Sequence, residues 1–197
     1  MSRLSRLSRG TRSDAFVYHK GEGSARRPGA SQGARPITRK EAGTTATLHL
    51  MVGLPCSGKT TFARTLEERY AALRLTPDEW HIELFGNDME DEAHDARHDA
   101  VERLMWSVAA KALARGVDVV LDFGFWGRDE RETFRRRAEA LGAEFRIHYM
   151  DVPEETLLER LAVRNAQLPP GTFPIPEERL REWIRMFEPP TREELER

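Results

Sequence analysis

From residue 46 onward the chain alternates short apolar runs with longer segments whose apolar positions recur every three or four residues. The first kind reads as buried strands and the second as amphipathic helices. Thr47–Val52 predicts a strand that ends at a glycine. Lys59–Ala72 predicts a helix with Phe62, Leu66 and Tyr70 on one face, followed by a short strand at Leu73–Leu75. Asp78–Phe85 predicts a short helix stopped by Gly86, and residues 87–92 a polar loop. His94–Ala114 predicts a long helix with Val101, Leu104, Met105, Val108, Ala112 and Leu113 as its inner stripe and Gly116 as its stop. Val117–Asp122 reads as a third strand, Arg128–Leu141 as a helix and Phe145–Met150 as a fourth strand. Asp151 can cap a further helix that has Pro153 near its first turn and reaches about Asn165. A proline-rich loop follows at 169–176, and Glu177–Phe187 predicts the last helix before Pro189. Strands alternating with helices imply βαβ units: an α/β fold in three layers, a central parallel sheet covered by helices on both faces.

Residues 1–45 break this pattern. They are rich in Gly, Ser, Arg and Pro, with apolar residues too scattered to bury, and read as a disordered basic tail preceding a domain over 46–197. The Arg/Ser-rich, acid-poor start also resembles an organelle transit peptide. The net charge of -2 conceals an asymmetry: residues 1–40 hold 10 basic and 2 acidic residues, leaving 21 basic and 31 acidic for the rest. An acidic body suits a small substrate better than a long polyanion, because phosphate neutralisation supplies most nucleic-acid affinity. No apolar run approaches the ~20 residues a membrane span needs. The single Cys56 excludes an intramolecular disulfide and a cysteine zinc cluster, and fits a cytoplasmic setting.

Between the first strand and first helix stands G-L-P-C-S-G-K-T, Gly53 to Thr60, which matches the phosphate-binding loop pattern at every fixed position. Gly53 and Gly58 allow a tight turn whose N–H groups converge on an anion, and the helix behind aims its positive end at the same point. Gly53, Pro55, Cys56, Ser57, Gly58, Lys59, Thr60 and Thr61 are therefore the candidate contacts for ATP. Lys59 should reach the β- and γ-phosphates, and the Thr60 hydroxyl a magnesium ion. Cys56 is either a small tolerated residue or a reactive thiol, since a helix N-terminus favours the thiolate.

Three further features suit phosphoryl transfer. Asp78, in L-T-P-D-E-W after the second strand, is either a general base for an acceptor hydroxyl or a helix cap. Asp122, closing V-V-L-D, is a candidate magnesium ligand, or else a solvated strand end. Arg160 and Arg164 share one helix face, either to neutralise a transferred phosphoryl group or to pair with Glu155 and Glu159. Phe125 and Trp126 can wall an acceptor pocket, with Arg128 and Arg131 reaching phosphate or substrate, or can plug the core. His94 and His98 have helical metal-ligand spacing but no evident third ligand, and read as a polar face. Trp183, Ile184 and Phe187 read as core.

Together these residues resemble the P-loop kinase group of zeta-type toxins, polynucleotide 5′-kinases and chloramphenicol phosphotransferases. The chain is most similar to uncharacterised bacterial ATP-binding kinases in which G-L-P-C-S-G-K-T, L-T-P-D-E-W, V-V-L-D-F-G-F-W, R-L-A-V-R-N and F-E-P-P recur in this order. The resemblance covers about residues 46–195. It implies Asp78 as base, Arg164 as lid arginine and an acceptor between them. His81 stands where relatives often carry an arginine, which speaks against a phosphate-bearing acceptor. The expectation is a kinase passing the γ-phosphoryl group of ATP to a small-molecule hydroxyl. Its rivals are a toxin, a polynucleotide 5′-kinase and a slow ATPase switch.

Overall fold

The structure, a computed structural model, describes Phe16–Val17 and residues 45–197. Five parallel strands form one sheet in the order β1-β5-β2-β4-β3. They are β1 (Phe16–Val17), β2 (Thr47–Val52), β3 (Leu73–Leu75), β4 (Val119–Gly124) and β5 (Glu144–Tyr149). The helices are α1 (Lys59–Tyr70), α2 (Pro77–Phe85), α3 (His94–Leu113), α4 (Arg128–Ala140), α5 (Glu154–Gln167), α6 (Glu177–Met186) and α7 (Arg192–Glu196).

All six residues of β2 are buried, because β2 lies inside the sheet with helices on both sides. Leu48, Leu50 and Val52 face α3 and α4, against Val101, Met105, Phe134 and Ala138. Met51 faces the other way, onto Ala63 and Leu66 of α1. The expected three layers are thus present.

Several local expectations shift. The inner residues of α3 are Val101, Met105, Ala109 and Leu113, every fourth position, and Leu104 is 52% exposed. Pro153, not Asp151, occupies the N-cap of α5, with no side-chain cap. Asp151 lies too far upstream and accepts a hydrogen bond from the Tyr149 hydroxyl at 3.2 Å. A helix beyond Pro189-Pro190 was not expected; Thr191 and Glu194 form a reciprocal capping box that starts α7. Phe16–Val17, which the sequence pattern places in the disordered tail, pair with His148 and Tyr149 at the edge of β5. The rest of that tail lies outside the described residues. No described helix is long and apolar enough to cross a membrane.

The strand carrying Asp122 runs two residues further than its apolar run suggests, so Asp122 sits inside β4. Leu50 pairs with Leu121 but Val52 with Gly124, so β4 carries one extra residue at Asp122–Phe123. Such bulges re-aim side chains near a sheet's functional end.

Two histidines sit among these strands. His49 Nδ1 lies 2.9 Å from His148 Nε2, and the Tyr70 ring stacks on His49 at 5.4 Å. Burial, and then the neighbouring His49, push the His148 pKa down to about 3. The folded chain therefore keeps His148 neutral where the unfolded chain, with a pKa near 6.5, takes up a proton. Its contribution to stability is present above pH ~6.5 and is lost as pH falls toward 3. Lowering pH from 7 to 5 should cost about 2 kcal/mol through this group. Urea unfolding at the two pH values measures it, and His148→Gln should reduce the difference by about that amount.

Candidate active site

The loop joining β2 to α1 is shaped by backbone constraint. Gly53 has φ 146° and donates its N–H to the Gly124 carbonyl at 3.0 Å, tying the loop to the end of β4. A side chain there would press on Met150 O at 3.1 Å. Gly58, with φ 96°, precedes α1 and would meet nothing within 4 Å, so it is needed for its left-handed backbone and not for space. Cys56 takes φ 65° without being glycine. The Ser57 hydroxyl is buried with no partner.

Lys59 folds back so that its Nζ donates to the Leu54 carbonyl at 2.8 Å. Burial lowers its pKa, against the pull of Asp122 and Asp78. Asp122 is the counterpart. Burial raises its pKa, while Lys59 and the Thr60 hydroxyl pull it down. Both its carboxylate oxygens are buried and lack a hydrogen-bond partner of ordinary geometry. A buried carboxylate with free lone pairs beside a threonine hydroxyl is a donor set that fits magnesium, a hard cation preferring oxygen.

These groups open into one cavity of about 1540 Å³. Lys59, Thr60, Asp78, Asp122, Arg160 and Arg164 all line it. Gly53 supports the loop from behind, whereas Pro55, Cys56, Ser57, Gly58 and Thr61 belong to the wall. Thr76 occupies the N-cap of α2, which places Asp78 within the first turn. The capping alternative for Asp78 therefore falls away. Arg160 Nη1 donates to the Cys56 carbonyl at 3.1 Å, so α5 rests on the phosphate loop. Arg164 Nη1 is buried without a partner. Burial raises the Cys56 pKa, outweighing Arg164, Lys59 and Arg160, which favours the small tolerated residue over a reactive thiol.

The aromatic loop divides its two expected roles. Phe125 has φ 47° and is 2% exposed, stacked on Phe123 and edge-on to Phe134 in the core. Trp126 turns the opposite way into the cavity wall and meets Trp183 at 5.2 Å. Gly124 makes this possible, since a Cβ there would lie 2.9 Å from Trp126 Nε1. Trp183 lines the same cavity, although its helical spacing reads as core. An apolar stripe does not distinguish a core from a pocket wall.

Arg131 does not reach toward the cavity. It is 1% exposed and donates to Glu194, to the carbonyls of Phe125 and Trp126, and to the Glu188 carbonyl at 2.9 Å. Arg128 is exposed and is not among the residues lining the cavity. His94 and His98 are not an exposed face either; their side chains are 15% and 27% exposed and both line the cavity. His81 is fully buried, with Nε2 2.6 Å from Asp88 Oδ1.

Residues 48–190 match the family model described as an AAA domain. No curated protein matches the chain. Among solved structures it is similar to a chain of the Pnkp1/Rnl/Hen1 RNA repair complex at 20% identity and a TM-score of 0.60, over 74% of this chain and 45% of that one. The chain thus spans under half the length of that relative. A proposed kinase from Chloroflexus aurantiacus is similar at 18% identity and TM-score 0.60, over 75% of this chain and 83% of that one. Kti12 from Chaetomium thermophilum, in complex with ADP-AlF3, is similar at 19% identity and TM-score 0.56, over 73% and 81%. At these identities the likeness is one of fold.

Replacing Arg131 by Ala should destabilise the chain by about 3–5 kcal/mol, as a buried charge network loses its centre. Arg128→Ala should stay within about 0.5 kcal/mol. Thermal or urea unfolding of the two variants compares them.

Proposed function

Because the chain belongs to the AAA domain family, with a P-loop kinase-like fold, we propose that it transfers the γ-phosphoryl group of ATP to a hydroxyl of a small-molecule acceptor. The observation that carries this reading is the convergence of Lys59, Asp78, Asp122 and Arg164 on one cavity at the carboxyl ends of β2, β3 and β4. The cavity volume leaves room beside a nucleotide for a second substrate.

In this reading the loop from Gly53 to Thr61 cradles the phosphates with its N–H groups, and Lys59 swings from the Leu54 carbonyl to the β- and γ-phosphates. Thr60 and Asp122 would hold magnesium, whose charge offsets that of the β- and γ-phosphates. Asp78 accepts the proton of the acceptor hydroxyl as its oxygen forms the new bond to the γ-phosphorus. The bond from that phosphorus to the β–γ bridging oxygen breaks, and ADP leaves. Arg164, with an unused buried N–H, meets the charge on the transferring group. Trp126 and Trp183 form the apolar wall against which the acceptor is oriented. Magnesium, the cytoplasmic setting and the alcohol class of the acceptor belong to this proposal.

Asp78→Asn should bind ATP nearly as the parent does and lose transfer by about 10²–10⁴-fold. Lys59→Ala should lose nucleotide binding as well. ATP consumption against a panel of aminoglycosides, nucleosides, nucleotide sugars and 5′-hydroxyl oligonucleotides reads both. Undiminished turnover in Asp78→Asn would overturn the base assignment, and turnover with oligonucleotides alone would replace the small-molecule acceptor.

A further inference from the structure

Beside the cavity, whose wall includes His94, three elements bring metal-binding side chains to one point. His81 comes from the middle of α2, Asp88 from the loop after it, and His94 is the first residue of α3. His81 Nε2 and His94 Nδ1 both face the same carboxylate oxygen, Asp88 Oδ1, at 2.6 and 2.7 Å. One nitrogen from each ring and one oxygen of Asp88 all lie within 4.8 Å of one another. We propose that His81, Asp88 and His94 form a binding site for a divalent transition-metal ion of the zinc class, which clamps α2 to α3. The proposal does not rest on the phosphotransfer reading.

The donor chemistry selects the ion. Two imidazoles and one carboxylate suit zinc and its first-row neighbours better than magnesium or calcium, which prefer all-oxygen sites. Ligand atoms around a tetrahedral zinc, bonded at about 2.0–2.1 Å, stand roughly 3.3 Å apart. The two short contacts therefore need to open by well under 1 Å. Asp88 on a loop and His94 at a helix start can supply that movement. The burial matches as well: the side chains are 0%, 9% and 15% exposed for His81, Asp88 and His94.

Asp88 Oδ1 takes both ring contacts. Arg97 Nη1 holds the other oxygen, Oδ2, at 2.7 Å and so fixes the carboxylate plane from outside, as supporting partners of metal ligands do. The positive charge of Arg97 is shared with Asp91 Oδ2 at 2.8 Å, and residues 88–95 carry five carboxylates with no lysine or arginine. A dication would therefore enter an acidic surrounding. The helical spacing of His94 and His98 conceals this set, because His98 Nε2 points to Glu102 at 3.6 Å. The partners of His94 come from outside its helix.

The clamp has a structural consequence. Asp78 lies three residues before His81 on α2. Fixing α2 to α3 fixes the helix that presents Asp78 to the cavity.

The test uses the full chain, stripped with a chelator and held free of nucleotide and magnesium. Zinc is titrated in competition with a chromophoric chelator, and cobalt is added separately to report coordination by its visible absorption. One equivalent of zinc should bind, and cobalt should show the intense visible bands of four-coordinate nitrogen and oxygen ligation. A hundredfold excess of zinc over its dissociation constant should raise Tm by about 5–10 °C. Affinity should fall at least tenfold in His94→Ala and in Asp88→Asn, the second of which keeps the side-chain shape and guards against misfolding. It should be unchanged in His98→Ala and Lys59→Ala. Failure of the parent chain to bind zinc, or equal affinity in His94→Ala, would overturn the site and leave a purely hydrogen-bonded latch. Loss of affinity in His98→Ala equal to that in His94→Ala would overturn this ligand set.

Discussion

A half-buried ammonium and a buried carboxylate that feel one another's charge at the carboxyl end of a parallel sheet set the conditions for the rest of the molecule. Taking either ion out of water alone costs far more than a fold of this size can spare. Together, Lys59 and Asp122 offset part of that cost, with the Leu54 carbonyl accepting a hydrogen bond from the ammonium. The offset is incomplete: burial still lowers the lysine and raises the aspartate. That residual imbalance is what an arriving polyphosphate and its cation would relieve. The glycines of the loop, the bulge in β4 and the packing of α5 on the Cys56 carbonyl all help to place these two groups on the cavity wall.

The C-terminal third braces the aromatic loop that forms part of the cavity wall. Arg131 gathers the Phe125 and Trp126 carbonyls, the Glu188 carbonyl and the Glu194 carboxylate into one buried knot. Through it, α4, the aromatic loop and α7 form a single frame behind the cavity. Asn165 does the same for the proline-rich loop, bonding both the N–H and the carbonyl of Ile175. The segment following α5 is therefore seated near its end, by polar contacts at Ile175 and by Phe173 against His81 and His94.

The architecture was legible because its cause is local. Strands such as Thr47–Val52 announce themselves as buried runs, and Gly53 to Thr60 is a contiguous motif whose spacing has one physical explanation. Lys59, Asp78, Asp122 and Arg164 could be picked out singly, and the structure gathers them into one cavity. What stayed hidden depends on contacts between elements. Arg131 looked like a phosphate-seeking arginine because its partners lie about sixty residues away. The contact of His94 with Asp88 stayed hidden for a related reason, since helical spacing takes no account of a loop residue. The sequence pattern turns Leu104 inward because a strict fourfold step and a mixed three-and-four step differ by little over one helix. The bulge at Asp122–Phe123 leaves no mark in residue type at all.

The left-handed turn at Phe125 places two neighbouring aromatic rings on opposite sides of one wall. It thereby separates what natural variation can alter from what it cannot. Residue 125 is committed to the hydrophobic interior, and Gly124 to letting the chain reverse. Trp126 and Trp183 bear on the shape of the chamber and come from two segments far apart in sequence. Descendants of this chain could exchange either indole, enlarging or narrowing the chamber, while the phosphate-facing side stays intact. A single backbone torsion thus lets the wall facing the chamber vary independently of the core that faces away from it.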